Sequence, residues 1–285
     1  MDFNLTSPIP EEPGICRSCG ATLTGEFCSN CGEKKFIPGE DKVRHFFGDF
    51  FSAITSLDGN FLRTAKLMIT KPGVMSYQYI NGRRIPFVKP MSMFFIVNVI
   101  YFLLSFGDGL NSTLYTQMNN MLWQSKVATN MVEKRIKEEK TTLKAFAIKY
   151  QEQSTEMAKL WLVLVVLYFS VPLWLINYNK KLFYFDHLTV SLEFISLAAI
   201  YMFVILPWII VLISKFVKLS DNSFDAMAKF PLIVISWGLL YAFERNTYQQ
   251  SIFRSLTKAA LLVFLFYVTL MIYRITLFYI TMFTL

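Results

Sequence analysis

Five stretches of the chain run without a charged side chain: Met91 to Gly107, Leu160 to Asn179, Phe194 to Ser214, Phe230 to Phe243, and Ala259 to the C-terminus, the last interrupted only by Arg274. A hydrocarbon core roughly 30 Å thick takes about 20 apolar residues per helix, so these runs predict transmembrane helices. The third contains Pro207, which a membrane helix tolerates where neighbouring groups satisfy the freed carbonyl. The fourth begins at Phe230-Pro231 between Lys229 and Glu244 and is short enough to be re-entrant instead of spanning.

Upstream the period changes. In "DKVRHFFGDFFSAITSL", Val43, Phe46, Phe47, Phe50, Phe51, Ile54 and Leu57 recur every three or four residues, which predicts an amphipathic helix with His45 and Asp49 on the polar side. That face would rest in the headgroup layer or on the bundle. Asp58 suits the cap of a helix reaching about Ile69, Pro72 the first turn of another, and Gly82 its left-handed end. Between residues 108 and 159 helical spacing returns with mixed charge, including Glu133 with Lys137 and Lys134 with Glu138, which predicts a solvated helical hairpin outside the membrane.

Ahead of these helices "CRSCGATLTGEFCSNCG" sets two C-x-x-C pairs, so the fold class expected is an all-α polytopic membrane bundle of about five transmembrane helices with a small N-terminal zinc ribbon. Three regions follow: the ribbon and its linker at 1–40, amphipathic and juxtamembrane helices at 41–90, and the bundle at 91–285 with an extracytoplasmic helical loop at 108–159. Composition agrees: the 285 residues are 54% hydrophobic with 28 Phe and only 17% charged, outside the usual soluble balance. No charged-then-apolar segment with a small-residue cleavage site opens the chain, which argues against a cleaved signal peptide.

The ribbon rests on "CRSCGATLTGEFCSNCG". Cys16, Cys19, Cys28 and Cys31 are the only cysteines, set as two C-x-x-C pairs, each followed by glycine. Such a pair on a tight turn presents two thiolates to one ion, and Gly20 and Gly32 permit the turn. Two turns complete a tetrahedral site, and in a module this small structural zinc would supply most of the folding free energy. Two disulfides, or iron in the same ligands, are the alternatives. Four thiolates leave no open position for catalysis.

Thiols kept for a metal indicate a reducing cytosol, so the N-terminus is expected on the cytoplasmic side of a bacterial inner membrane. Segments 63–89, 180–181 and 244–258, which that topology places inside, carry eleven Lys and Arg against three in 215–229 and five near the ends of the 108–159 loop outside, a small bias beside the cysteine argument. Around the ribbon, Arg17, Lys34 and Lys35 face Glu26 and Glu33, which is no basic footprint for nucleic acid. The overall charge of +8 lies along membrane borders, where it suits anionic lipid headgroups.

The ribbon, the Lys71-Pro72-Gly73 turn, Tyr79, Gly82, Arg84 and Pro90 resemble an uncharacterised family of bacterial membrane proteins known only as a domain of unknown function. "FYFDHL" at Phe183 to Leu188 and "YQQSIFRSLTK" at Tyr248 to Lys258 extend the resemblance over nearly the whole chain. It implies an architecture and no activity. Relatives carry histidines a few residues into the third helix, where this chain has Glu193 and Ile195, so a histidine metal site there is not expected.

One polar stripe remains. Asp186, Thr189, Glu193 and Ser196 share a helical face that enters the bilayer from the cytosolic border. Lipid penalises a carboxylate at that depth, so Glu193 should face the bundle interior, near Asn98, with Arg274 too far toward the outer side to pair with it. Asp186, His187 and Glu193 form the candidate intramembrane polar site, for an ion or a headgroup. The simpler reading gives Asp186 a capping role, His187 an interfacial place and Glu193 one structural hydrogen bond.

With two histidines and no G-x-S-x-G, P-loop or glycine fingerprint, an enzyme is the least favoured class. The favoured reading is a membrane-anchored binding or regulatory protein whose ribbon docks a protein partner. A small-molecule, ion or lipid transporter is the alternative.

Overall fold

The computed structural model describes residues 9, 14–37, 60–104, 111–119, 124–214 and 221–285. The amphipathic stretch 41–57, with His45, and the Asp58 cap lie outside the described residues. Among the described residues the only β-structure is two isolated bridges in the ribbon, Ile15 with Thr22 and Phe27 with Lys34.

Two short helices precede the bundle, α1 (Asn60–Thr70) and α2 (Val74–Ile80). Then come α3 (Pro90–Leu104), α4 (Leu114–Asn119), α5 (Gln124–Glu139), α6 (Leu143–Trp161) and α7 (Val163–Ile176). The last part holds α8 (Tyr184–Ala198), a π-helical segment (Ala199–Ile205), α9 (Leu206–Ser214), α10 (Asp221–Asn246) and α11 (Ile252–Thr284). Two stretches are long and apolar enough to cross a membrane: the continuous helix Tyr184–Leu212, formed by α8, the π segment and α9, and the 33-residue α11. A third is added if α6 and α7, bent by 54° at Leu162, are one span. The apolar part of α3, Pro90–Tyr101, is shorter.

Three boundaries differ from the apolar runs, each for a physical reason. The third helix starts at Tyr184 and not at Phe194, because its polar-studded first half is buried on every side: every residue from His187 to Ala198 is covered. Pro207 lacks the N–H its helix needs, and the chain widens into π geometry over the turns just before it. The short fourth run lies inside a helix of 26 residues, with Pro231 accommodated within it.

The main core is aromatic. Phe194 of α8 meets Phe169 of α7 at 5.0 Å, Phe266 of α11 at 5.1 Å and Phe243 of α10 at 5.9 Å between ring centroids. Lipid would offer no hydrophobic drive to helix association, so for the candidate spans such ring packing and interhelical hydrogen bonds would hold the helices together.

A second core forms where 108–159 was expected to be solvated. Leu114, Ala128, Val132, Phe146 and Tyr150 close around Phe278 and Met282 near the end of α11. Phe146, Tyr150, Ser154 and Ala158 recur every four residues, a stripe too thin to stand out among the surrounding charges. The charged faces stay in solvent, as the Lys134–Glu138 pair does.

Candidate functional site

The two C-x-x-C turns fold alike. Gly20 N donates to Cys16 O and Gly32 N to Cys28 O, both at 2.9 Å, and each glycine has φ of +77°. A side chain there would strain the turn, which is why glycine follows each pair. The four Sγ atoms all lie within 4.8 Å of one another, with Cys16–Cys31 and Cys19–Cys28 at 3.6 Å. A tetrahedral ion bound through sulfur at about 2.3 Å needs sulfurs about 3.8 Å apart. The site therefore fits a metal ion held by four thiolates. The thiols differ without a metal: the N–H of Cys31, joined by that of Asn30, pulls the Cys28 thiol down to about 7, whereas burial pushes the Cys16 and Cys31 thiols up.

The ribbon does not stand apart from the rest of the chain. Its Glu33, 5% exposed, accepts at Oε2 from Arg84 N and Ile85 N, each at 2.9 Å, and from Ser18 Oγ at 2.5 Å. Arg17 Nη1 donates to Asn81 O at 2.7 Å, and Arg83 Nε returns a bond to Arg17 O at 2.9 Å. The receiving loop is shaped by the end of α2. Gly82, at φ +85°, lets Arg83 N reach Gln78 O, closing the helix in a left-handed turn. A Cβ on Gly82 would also lie 2.5 Å from the Phe36 ring, so ring and glycine interlock. Arg17 sits 4.0 Å over the Phe36 ring, and Arg84 lies 5.2 Å over the Tyr79 ring. Pro90 opens α3, where its missing N–H costs nothing.

The other end of α2 is gripped by the bundle. Pro72 precedes the N-cap and so lies just outside the first turn, and Gly73 caps it at φ +83°. Glu193 supplies the acceptors that the cap lacks: Oε1 takes Gly73 N at 3.0 Å, and Oε2 takes Ser76 N at 2.8 Å and Ser76 Oγ at 2.5 Å. From α10, Asn246 Nδ2 donates to Pro72 O at 2.8 Å, and Thr247 Oγ1 to Gly73 O at 2.7 Å. Glu193 thus faces the interior, as the cost of a lipid-facing carboxylate requires, but it binds α2 and not Asn98.

The remaining members of the polar stripe go elsewhere. Asp186 accepts from Phe183 N at 2.8 Å and caps α8. His187, fully buried, meets Tyr248 through Nδ1 at 2.8 Å, with the two rings stacked. Asp186, His187 and Glu193 therefore serve three different contacts. Thr189 and Ser196 turn their hydroxyls back onto their own helix.

A polar relay that the sequence reading passed over sits beside them. Lys258 Nζ donates to Asn177 Oδ1 at 2.7 Å, and Asn177 Nδ2 donates to the buried Glu244 Oε1 at 2.6 Å. Glu244 and Lys258 flank apolar runs, so they read as border charges. Only the tertiary fold brings them to Asn177. Among the described residues, His187 Nε2, Glu244 Oε2 and Ser255 Oγ are buried without a hydrogen-bond partner. The loop 72–85, the α7–α8 turn and the α10–α11 turn are thereby gathered at one end of the bundle.

No curated protein and no solved structure matches the chain. The Pro72-Gly73, Tyr79, Gly82, Arg84 and Pro90 motif that carried the resemblance lies in the segment spanning α1, α2, the ribbon-binding loop and most of α3. That segment, residues 58–102, matches the family described as "Protein of unknown function (DUF3667)".

Proposed function

We propose that the chain is a membrane-anchored binding or regulatory protein of the bacterial cytoplasmic membrane, whose cytosolic ribbon holds one structural zinc and docks a protein partner. The observation that carries this reading is the closed cluster of four thiols, which fixes a surface and leaves no position for substrate. The ribbon face around Glu33 and Phe36 is engaged by residues 81–85, so a partner takes a face that includes the exposed Phe27. Basic residues near the gathered end of the bundle, such as Lys180 and Lys181, suit anionic headgroups on the cytosolic side.

Elemental analysis of the purified protein should find one zinc per chain, and Cys19→Ser should lose it. Absence of zinc, or two native disulfides by mass spectrometry, would overturn the zinc reading. A partner captured through the ribbon should be lost with Cys19→Ser. Capture that is indifferent to that change would remove the docking role.

Orientation is tested separately. Five spans starting from a cytosolic ribbon place the C-terminus outside, so a C-terminal reporter that works only outside the cytosol should be active. Activity of a cytosol-only reporter instead would refute the five-span count.

A transporter of a small molecule, ion or lipid is the second reading, favoured by the Asn177–Glu244–Lys258 relay, which carries a buried carboxylate at the ends of apolar helices. Removal of residues 1–40 discriminates the two, because transport would survive it and partner recruitment would not.

A further inference from the structure

The ribbon consists of two knuckles whose described backbone hydrogen bonds stay at home. Leu23 N to Gly14 O and Cys16 N to Ala21 O belong to the first; Cys28 N to Glu33 O and Lys35 N to Glu26 O belong to the second. Among the described contacts, the knuckles are joined by the thiol cluster, by the bond from Ser18 in the first to Glu33 in the second, and by Arg17 of the first lying over the Phe36 ring that follows the second. The loop after α2 reads both knuckles at once. Asn81 and Arg83 bind Arg17 of the first, whereas Arg84 N and Ile85 N bind Glu33 of the second. Docking therefore requires the knuckles in one fixed register, and a module this small has no core of its own to hold that register.

We propose that the ribbon is a metal-controlled clasp on its own membrane anchor: with the metal bound, Glu33 locks the loop 81–85, and loss of the metal releases it. The inference rests on the metal reading of the four cysteines. Release uncovers two backbone amides and frees Arg83 and Arg84 from their ribbon contacts at the border of α3, so metal occupancy is reported to the membrane-embedded part. Linkage makes the coupling reciprocal: a docked loop tightens metal binding by the same factor as the metal tightens docking.

The test uses the full-length protein in lipid nanodiscs. Amide hydrogen exchange at Arg84 and Ile85, and tryptic cleavage after Arg83 and Arg84, are compared before and after chelation, with zinc content measured in each sample. Chelation should speed exchange at both amides by about 10-fold or more, within the usual range of coupling between sites. Exchange at Gly73 and Ser76, held by Glu193, should stay unchanged and so report that the bundle is intact. Glu33→Ala should bind one zinc per chain, about 10-fold more weakly, and show the fast exchange even when loaded. Zinc removed with Arg84 and Ile85 still protected would overturn the clasp, as would full protection in loaded Glu33→Ala. A preparation that binds no zinc at all would instead overturn the metal reading beneath it.

Discussion

Gly73→Ala is expected to destabilise the docked turn by about 2–5 kcal/mol. Two causes add. An L-residue at φ +83° is strained, and the new Cβ would lie 2.7 Å from Thr247 Oγ1 and 3.0 Å from the Phe243 Cα, where backbone cannot yield. Gly238→Ala is the control, since a Cβ there meets nothing within 4 Å inside a helix, so it should be neutral or mildly stabilising. Thermal unfolding of both variants in detergent checks this. Equal melting temperatures would mean that Gly73 is not wedged between α2 and the end of α10.

The second large effect lies across the same turn. Glu193→Leu would leave Gly73 N and Ser76 N buried without acceptors, at about 1–3 kcal/mol each, so a loss of about 2–6 kcal/mol is expected. Glu193→Gln keeps one acceptor oxygen but turns an amide NH₂ toward donors, so it should lose about 1–3 kcal/mol. The order wild type, Gln, Leu in thermal stability marks an acceptor-counting role. A Leu variant as stable as the wild type would sink the clasp on α2, and Gln as harmful as Leu would show that charge itself is needed. Because both sites hold one turn, Gly73→Ala and Glu193→Leu combined should cost less than their sum.

What was legible in the sequence was local. Two C-x-x-C pairs with trailing glycines announce a four-sulfur cluster, because spacing alone brings each pair of thiols together. Charge-free runs announce apolar helices, and Asp186 three residues after Phe183 announces a cap. The contacts that position the candidate site were not legible, because they join distant parts of the chain. Glu193 reaches Gly73 across 120 residues, and Glu33 reaches Arg84 across 51. Nothing periodic marks such a carboxylate: Glu33 looked like a counter-charge to Lys34 and Lys35, and Glu193 looked like part of a polar site for an ion or a headgroup. Their donors are mostly backbone amides, which every residue carries, so no side-chain pattern could have pointed to them. The partner of His187 was hidden for a related reason, since Tyr248 belongs to a turn that the sequence assigns only to a membrane border.

The continuous α11 has a mechanical consequence. At about 1.5 Å per residue, its 33 residues make a rod about 50 Å long, longer than the apolar thickness of a bilayer. Ala259 and Leu262 near one end lie in the main core, and Phe278 and Met282 near the other belong to the second core. A helix that spans both cores without a break behaves as a lever. A tilt of about 10° about its middle would displace either tip by about 4 Å, so a rearrangement where Lys258 meets Asn177 is carried as a side-chain-sized step to the helices on the far side.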